Sequence, residues 1–140
     1  MITIDQYFGD FRDSPDATDA RWDNATRLLS ACALLEELAV ADGVVFPDNL
    51  ITGSGVSGQH YGGFRPQDCP IGSPHSAHKE GLAVDRYDPN DDIDEWCRKN
   101  KEQDGKLEQC GIYIEATTST PKWSHWTIRA PASGHREFNP

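Results

Sequence analysis

Residues 76–85 read SAHKEGLAVD, and both the fold and the chemistry expected of this chain follow from how that stretch is laid out. It sets His78 and Asp85 seven positions apart, with Gly81 between them. Glycine accepts the backbone angles of a sharp turn, so the chain can reverse just after the histidine. Leu82-Ala83-Val84-Asp85 then reads as a strand, which puts Ala83 and Asp85 on one face. Alanine is small enough to leave room for an ion beside the carboxylate. Imidazole nitrogen and carboxylate oxygen are both good ligands for zinc, and a catalytic zinc site needs three protein ligands with a fourth position open. His78 and Asp85 supply two. The best third is His125, in Trp123-Ser124-His125-Trp126; His60 and His75 are nearby alternatives to His78.

The rest of the chain divides into elements around this stretch. Downstream, Asp88 to Asp92 form a turn that starts a helix over Ile93–Gln103, with Ile93, Trp96 and Cys97 as its buried stripe and Gly105 closing it. The aspartates between Asp85 and Asp94 do not follow the order of a calcium loop. A solvated helix start, favoured by the helix dipole, accounts for them better. Cys110–Glu115 and Trp123–Arg129 read as two strands of a hairpin with a long connection. On the second strand Trp123, His125, Thr127 and Arg129 share a face, so His125 looks into a cleft. The tail, Ala130 to Pro140, is expected to pack as an ordered extension.

Upstream, residues 2–22 begin with a short apolar–polar element and become acidic and irregular. Asp23 or Asn24 is then expected to cap a helix. Leu28, Leu29, Cys32, Leu35 and Leu38 recur at helical spacing until Asp42-Gly43 ends it. Val44-Val45-Phe46 and Asn49–Thr52 read as short strands divided by Pro47. Gly53–Gly63 is a glycine-rich loop or hairpin tip lacking the Gly-Lys-Ser/Thr ending of a phosphate loop. Together these make one α+β domain over residues 1–140: a small, mainly antiparallel sheet carrying the ligands, with two helices packed on it.

With 13 basic and 23 acidic residues the formal net charge is −10, which argues against nucleic acid as a partner. The same charge gives no help in approaching an anionic wall or membrane, so a wall substrate must be recognised locally. There is no apolar run long enough to span a membrane, and MITIDQYFGDFRD has neither the basic nor the apolar region of a secretory signal. The four cysteines, Cys32, Cys69, Cys97 and Cys110, form no C-x-x-C pair and are too scattered for a disulfide scaffold. Cys32 and Cys97 read as small core residues on helices, and a Cys97–Cys110 bridge stays open. The sequence does not settle the oligomeric state.

The pattern S-x-H-x-x-G-x-A-x-D at residues 76–85, followed some forty residues later by W-x-H at 123–125, resembles the zinc D-Ala-D-Ala carboxypeptidases and related phage endolysins. Gly63-Phe64-Arg65 matches a preceding family element, with Gly62 where that element has serine. T-I-D-Q-Y, I-Y-I-E, T-P-K-W-S-H-W and P-A-S-G-H-R-E-F-N-P extend the likeness to a small phage- and prophage-associated branch, over nearly the whole chain. The resemblance implies a hedgehog/DD-peptidase-like fold, a zinc ion on His78, Asp85 and His125, and hydrolysis of a peptide bond in bacterial peptidoglycan. It implies that Arg65 grips a substrate carboxylate with two parallel hydrogen bonds, and that Ser76 and Trp123 also touch substrate. It further implies synthesis in the cytoplasm from a phage or prophage, with action at the wall after lysis or delivery.

Several members place an acidic base three positions before the last histidine; here that position is Lys122. Glu115, ending the strand that faces the His125 strand, is the better candidate to shuttle the proton. The loss at Lys122 leaves an alternative, a zinc-containing binding or virion structural module that does not cut.

Overall fold

The structure is a computed structural model and describes residues 1–48, 51–53, 56–57 and 60–140. It is mixed α/β, with a small, mostly antiparallel open sheet and several helices. The chain opens with helix α1 (Ile4–Phe8), closed at its start by a reciprocal capping box between Thr3 and Gln6. The long helix α2 runs Asp19–Ala41, one turn earlier than Asp23 or Asn24 would start it. Thr18 is the cap, its hydroxyl accepting the Arg21 N–H. The extra turn brings the Trp22 ring onto Phe8, stacked at 4.3 Å, and that contact stabilises the earlier start. Ala25, Leu28, Leu29, Cys32, Leu35 and Ala39 face inward, close to the expected stripe; Leu38 is only partly buried.

After α2 the segment Val44–Phe46 forms no strand. The Val44 N–H turns back to the Ala39 carbonyl, and Phe46 is held by its ring, edge-on to Trp126 at 6.1 Å. Of the strand expected at Asn49–Thr52, residues 49 and 50 lie outside those described. Thr52–Gly53 (β1) and Val56–Ser57 (β2) pair antiparallel, so strand pairing falls inside the stretch expected to be a loop or hairpin tip.

The main sheet has four strands: β3 (Ala83–Tyr87), β4 (Tyr113–Glu115), β5 (Trp123–Thr127) and β6 (Glu137–Phe138), in the order β3-β5-β4-β6. β5 is antiparallel to both neighbours, and β6 runs parallel to β4 at the edge. Strand alternation divides the side chains. Val84, Ile114 and Trp126 point into one core with the inner face of α2 and are fully buried, each contributing about 1.5–3 kcal/mol. Asp85 and His125 point to the other side.

Two boundaries between β3 and β4 differ from expectation. The helix starting near Ile93, α3 (Asp92–Lys99), stops early: the Asn100 amide donates to the Trp96 carbonyl, and the Asn100 carbonyl accepts the Leu107 N–H. Gly105 therefore does not close that helix. It opens a further one, α4 (Lys106–Cys110), so Cys110 is helical and the strand begins only at Tyr113. The aspartates before α3 are not all solvated either. Asp88 is buried and its two carboxylate oxygens accept the Ile93 and Asp94 N–H groups, while Asp94 is buried completely. All four cysteines are free, so no Cys97–Cys110 bridge forms; Cys32 and Cys97 lie in the core. Among the described residues, no helix is long and apolar enough to cross a membrane.

Candidate metal centre

A single 3₁₀ turn, Ala77–Glu80, carries His78, and Gly81 ends it in the left-handed region at φ 76°. A side chain there would be strained, and its Cβ would lie 2.6 Å from the Arg21 carbonyl of α2. The turn into β3 expected at this glycine is thus enforced twice. β3 lies against β5 with Asp85 directly opposite His125. On the other edge of β5, Tyr113 faces Thr127 and Ile114 faces Trp126, and one step further Glu115 comes level with His125. The middle strand thus presents His125 between two carboxylates.

His78, Asp85 and His125 form a buried group able to hold a metal ion: one ligand atom from each lies within 4.8 Å of the others. The Asp85 Oδ1 is 3.3 Å from His78 Nε2 and 2.8 Å from His125 Nδ1. Neighbouring donors around a tetrahedral ion with bonds near 2.1 Å stand about 3.4 Å apart, so little movement is needed. The His78 ring is oriented from behind, its Nδ1 being 2.9 Å from the Gly63 carbonyl. A carbonyl only accepts, so Nδ1 carries the proton and the neutral ring turns a bare Nε2 toward the carboxylate. Two acceptors facing each other at that range repel unless a proton or a cation is shared between them.

Burial decides between those two. It lowers the His78 pKa, assisted by Arg65 and His125 against the pull of Asp85, so the ring is held neutral. Burial would raise Asp85, but the two imidazoles beside it, His78 and the hydrogen-bonded His125, win and hold it well below the usual carboxylate range. His125 behaves oppositely to His78: burial lowers its pKa, yet the Asp85 hydrogen bond and charge, with Glu115, raise it. An ionised carboxylate between two imidazoles, one bare at Nε2, is a donor set for a divalent cation.

The cluster opens on a cavity of about 650 Å³ that Arg65, Ser76, Glu115, Trp123, Arg129 and Phe138 help to line. Glu115 is half-buried, its Oε1 3.8 Å from His125 Nε2, and burial pushes its pKa up. Arg65 takes a more constrained position than the sequence suggests. Its Nη2 donates to Asp85 Oδ2 at 3.3 Å and its Nε to the Tyr61 carbonyl at 2.6 Å, so two of its three nitrogens are engaged before any substrate arrives. His75 is exposed and outside the cluster, and the His60 side chain lies outside the described residues. Lys122 is exposed in the turn before β5.

Two contributors escaped the sequence. Gly63 supplies the acceptor for His78, and a Cβ there would collide with the Tyr7 carbonyl of α1, so only glycine brings that loop this close. The tail is ordered as expected, but it also adds β6, which pairs Phe138 with Glu115 and sets the Phe138 ring edge-on to His125 at 6.4 Å. A two-residue strand leaves no periodicity to read. No family model, curated protein or solved structure matches the chain.

Proposed function

We propose that this protein is a zinc-dependent peptidase of hedgehog/DD-peptidase-like fold, hydrolysing a peptide bond in bacterial peptidoglycan. The observation that carries the reading is the convergence of His78, Asp85 and His125 at the floor of a cavity, with Glu115 beside them. Two imidazoles and one carboxylate are a donor set that zinc takes in catalytic sites, with a further position left for substrate or water. Bound there, zinc supplies a Lewis acid that polarises a carbonyl and makes water easier to deprotonate.

The chain's own residues supply the remaining steps. Glu115 accepts the proton of the attacking water and returns it to the leaving amine, a task suited to a carboxyl whose pKa is raised. Arg65 fixes Asp85 by occupying Oδ2, so that Oδ1 alone faces the histidines. Ser76 and Trp123 contact the bound peptide from the cavity wall.

The test is incubation of the zinc-loaded protein with purified peptidoglycan, scoring newly released amines with and without chelator. Chelator-sensitive release is expected, with Glu115→Gln keeping its zinc but losing about 10²–10⁴-fold in turnover. Zinc bound at one per chain with no release would reject hydrolysis and leave the non-cutting module.

A further inference from the structure

The cavity beside the metal cluster has cationic lysine or arginine side chains at two positions among the described residues, Arg65 and Arg129. They differ in what they have left to give. Arg65 is buried, its charge is met by Asp85, and its Nε and Nη2 are engaged. Arg129 lies four residues past His125, on an exposed stretch of the same wall. Its Nη1 donates to the His75 carbonyl at 2.8 Å, which anchors the side chain on the loop leading into His78. Its Nε and Nη2 have no hydrogen-bond partner among the described residues, and no acidic side chain pairs with it there.

A guanidinium held at one nitrogen and open at two others has lost part of its conformational freedom before any ligand arrives. On a chain of net charge −10 such a cation is an unusual surface for an anion to meet. We infer that Arg129, and not Arg65, recognises the substrate, by pairing with a carboxylate of the bound peptide. The inference rests on the peptidase reading for its ligand, a peptide, but not for its contact.

The carboxylate has two possible sources, a free C-terminus or an acidic side chain. Three short peptides separate them: neutral side chains with a free C-terminus, an acidic residue with an amidated C-terminus, and neither. Binding is measured by calorimetry on the metal-free full chain, which excludes turnover, and cleavage is followed separately with zinc. The wild type should bind one or both carboxylate peptides roughly tenfold more tightly than the neutral amide. Arg129→Gln should erase that preference without changing binding of the neutral amide, and Arg129→Lys should restore part of it. Arg98→Gln, which removes the same charge from an exposed site on α3, should leave the preference intact.

A wild type with no preference, a preference that survives in Arg129→Gln, or an equal loss in Arg98→Gln would overturn the inference. Its fate is separable from that of the peptidase reading. An Arg129-dependent preference without cleavage by the zinc-loaded chain keeps the carboxylate site and rejects the peptidase. Cleavage with unchanged binding in Arg129→Gln does the reverse.

Discussion

The two faces of the β3–β5 strand pair both bury charge, and they do so in opposite ways. On the cavity face, Asp85 meets His78, His125 and Arg65, and each partner reaches it with a directed contact. On the core face, Arg86 is almost wholly buried between the Phe46 and Trp126 rings, 4.7 and 5.1 Å from its Cζ. It donates to Glu36 at 3.1 Å, but among the described residues its Nε and Nη2 have no hydrogen-bond partner. Asp94, also buried, accepts from the Thr120 hydroxyl at 3.0 Å. Buried charge alone therefore does not mark a site. Atoms of several side chains converging on one point mark it, and among the described residues only the cavity face has that.

The largest break in this contrast is expected at Asp85. Asp85→Asn should abolish zinc uptake at one ion per chain, read by metal analysis. It should also cost about 3–5 kcal/mol in urea unfolding, because Arg65 is left buried without its anion. Unchanged zinc content would remove the cluster from consideration. Next comes Gly81→Ala, which forces a side chain into the left-handed turn and against Arg21. A loss of about 1–3 kcal/mol is expected, with weaker zinc binding because His78 rides on that turn.

Asp94 sharpens the comparison through pH. Burial, against the Ser124 and Thr120 hydroxyls, pushes its pKa up to about 7, while the unfolded carboxyl ionises near 4. Between those values the folded chain holds a proton that the unfolded chain has released. Its contribution is thus fully present below about pH 4 and lost as the pH rises through about 7. Asp94→Asn should match the wild type at pH 4 and exceed it by about 1–4 kcal/mol at pH 8. Parallel urea midpoints across that range would show that Asp94 does not titrate this way.

The smallest effect is expected on the core face. The double replacement Arg86→Met with Glu36→Leu removes a buried pair together with its orphaned nitrogens and should change stability by less than about 1 kcal/mol. The double variant should bind zinc as before. A large loss would mean that the core-face pair matters as much as the cavity-face one.

The sequence made most of the cavity face legible and little of the core face. Glycine followed by an alternating run placed His78 on a turn and Asp85 on a strand, and period-two alternation sent His125 and Trp126 to opposite sides. The hairpin of β4 and β5 brought Glu115 level with His125 as expected. What stayed hidden was pairing between distant segments: nothing local says that β3 lies on the free edge of β5, or that the tail returns as β6. Asp88 and Asp94 depart from the solvated acidic run that the sequence suggests: one caps α3 from inside, and the other lies buried against Thr120 in the connection between β4 and β5. Arg65 lies at the site, but a one-dimensional reading cannot show that two of its nitrogens already meet Tyr61 and Asp85.

The partner of His78 Nδ1 is a peptide oxygen of Gly63, not a side chain. No codon change can delete such a group, so this part of the site tolerates sequence drift only in one sense. Replacements there act by shifting the main chain, and that position is set by α1, whose Tyr7 carbonyl receives the Phe64 N–H at 2.9 Å. The opening helix, far from any chemistry along the polymer, thereby becomes a gauge for the imidazole. Trimming it, or fusing a rigid tag to it, would detune the ligand without touching one.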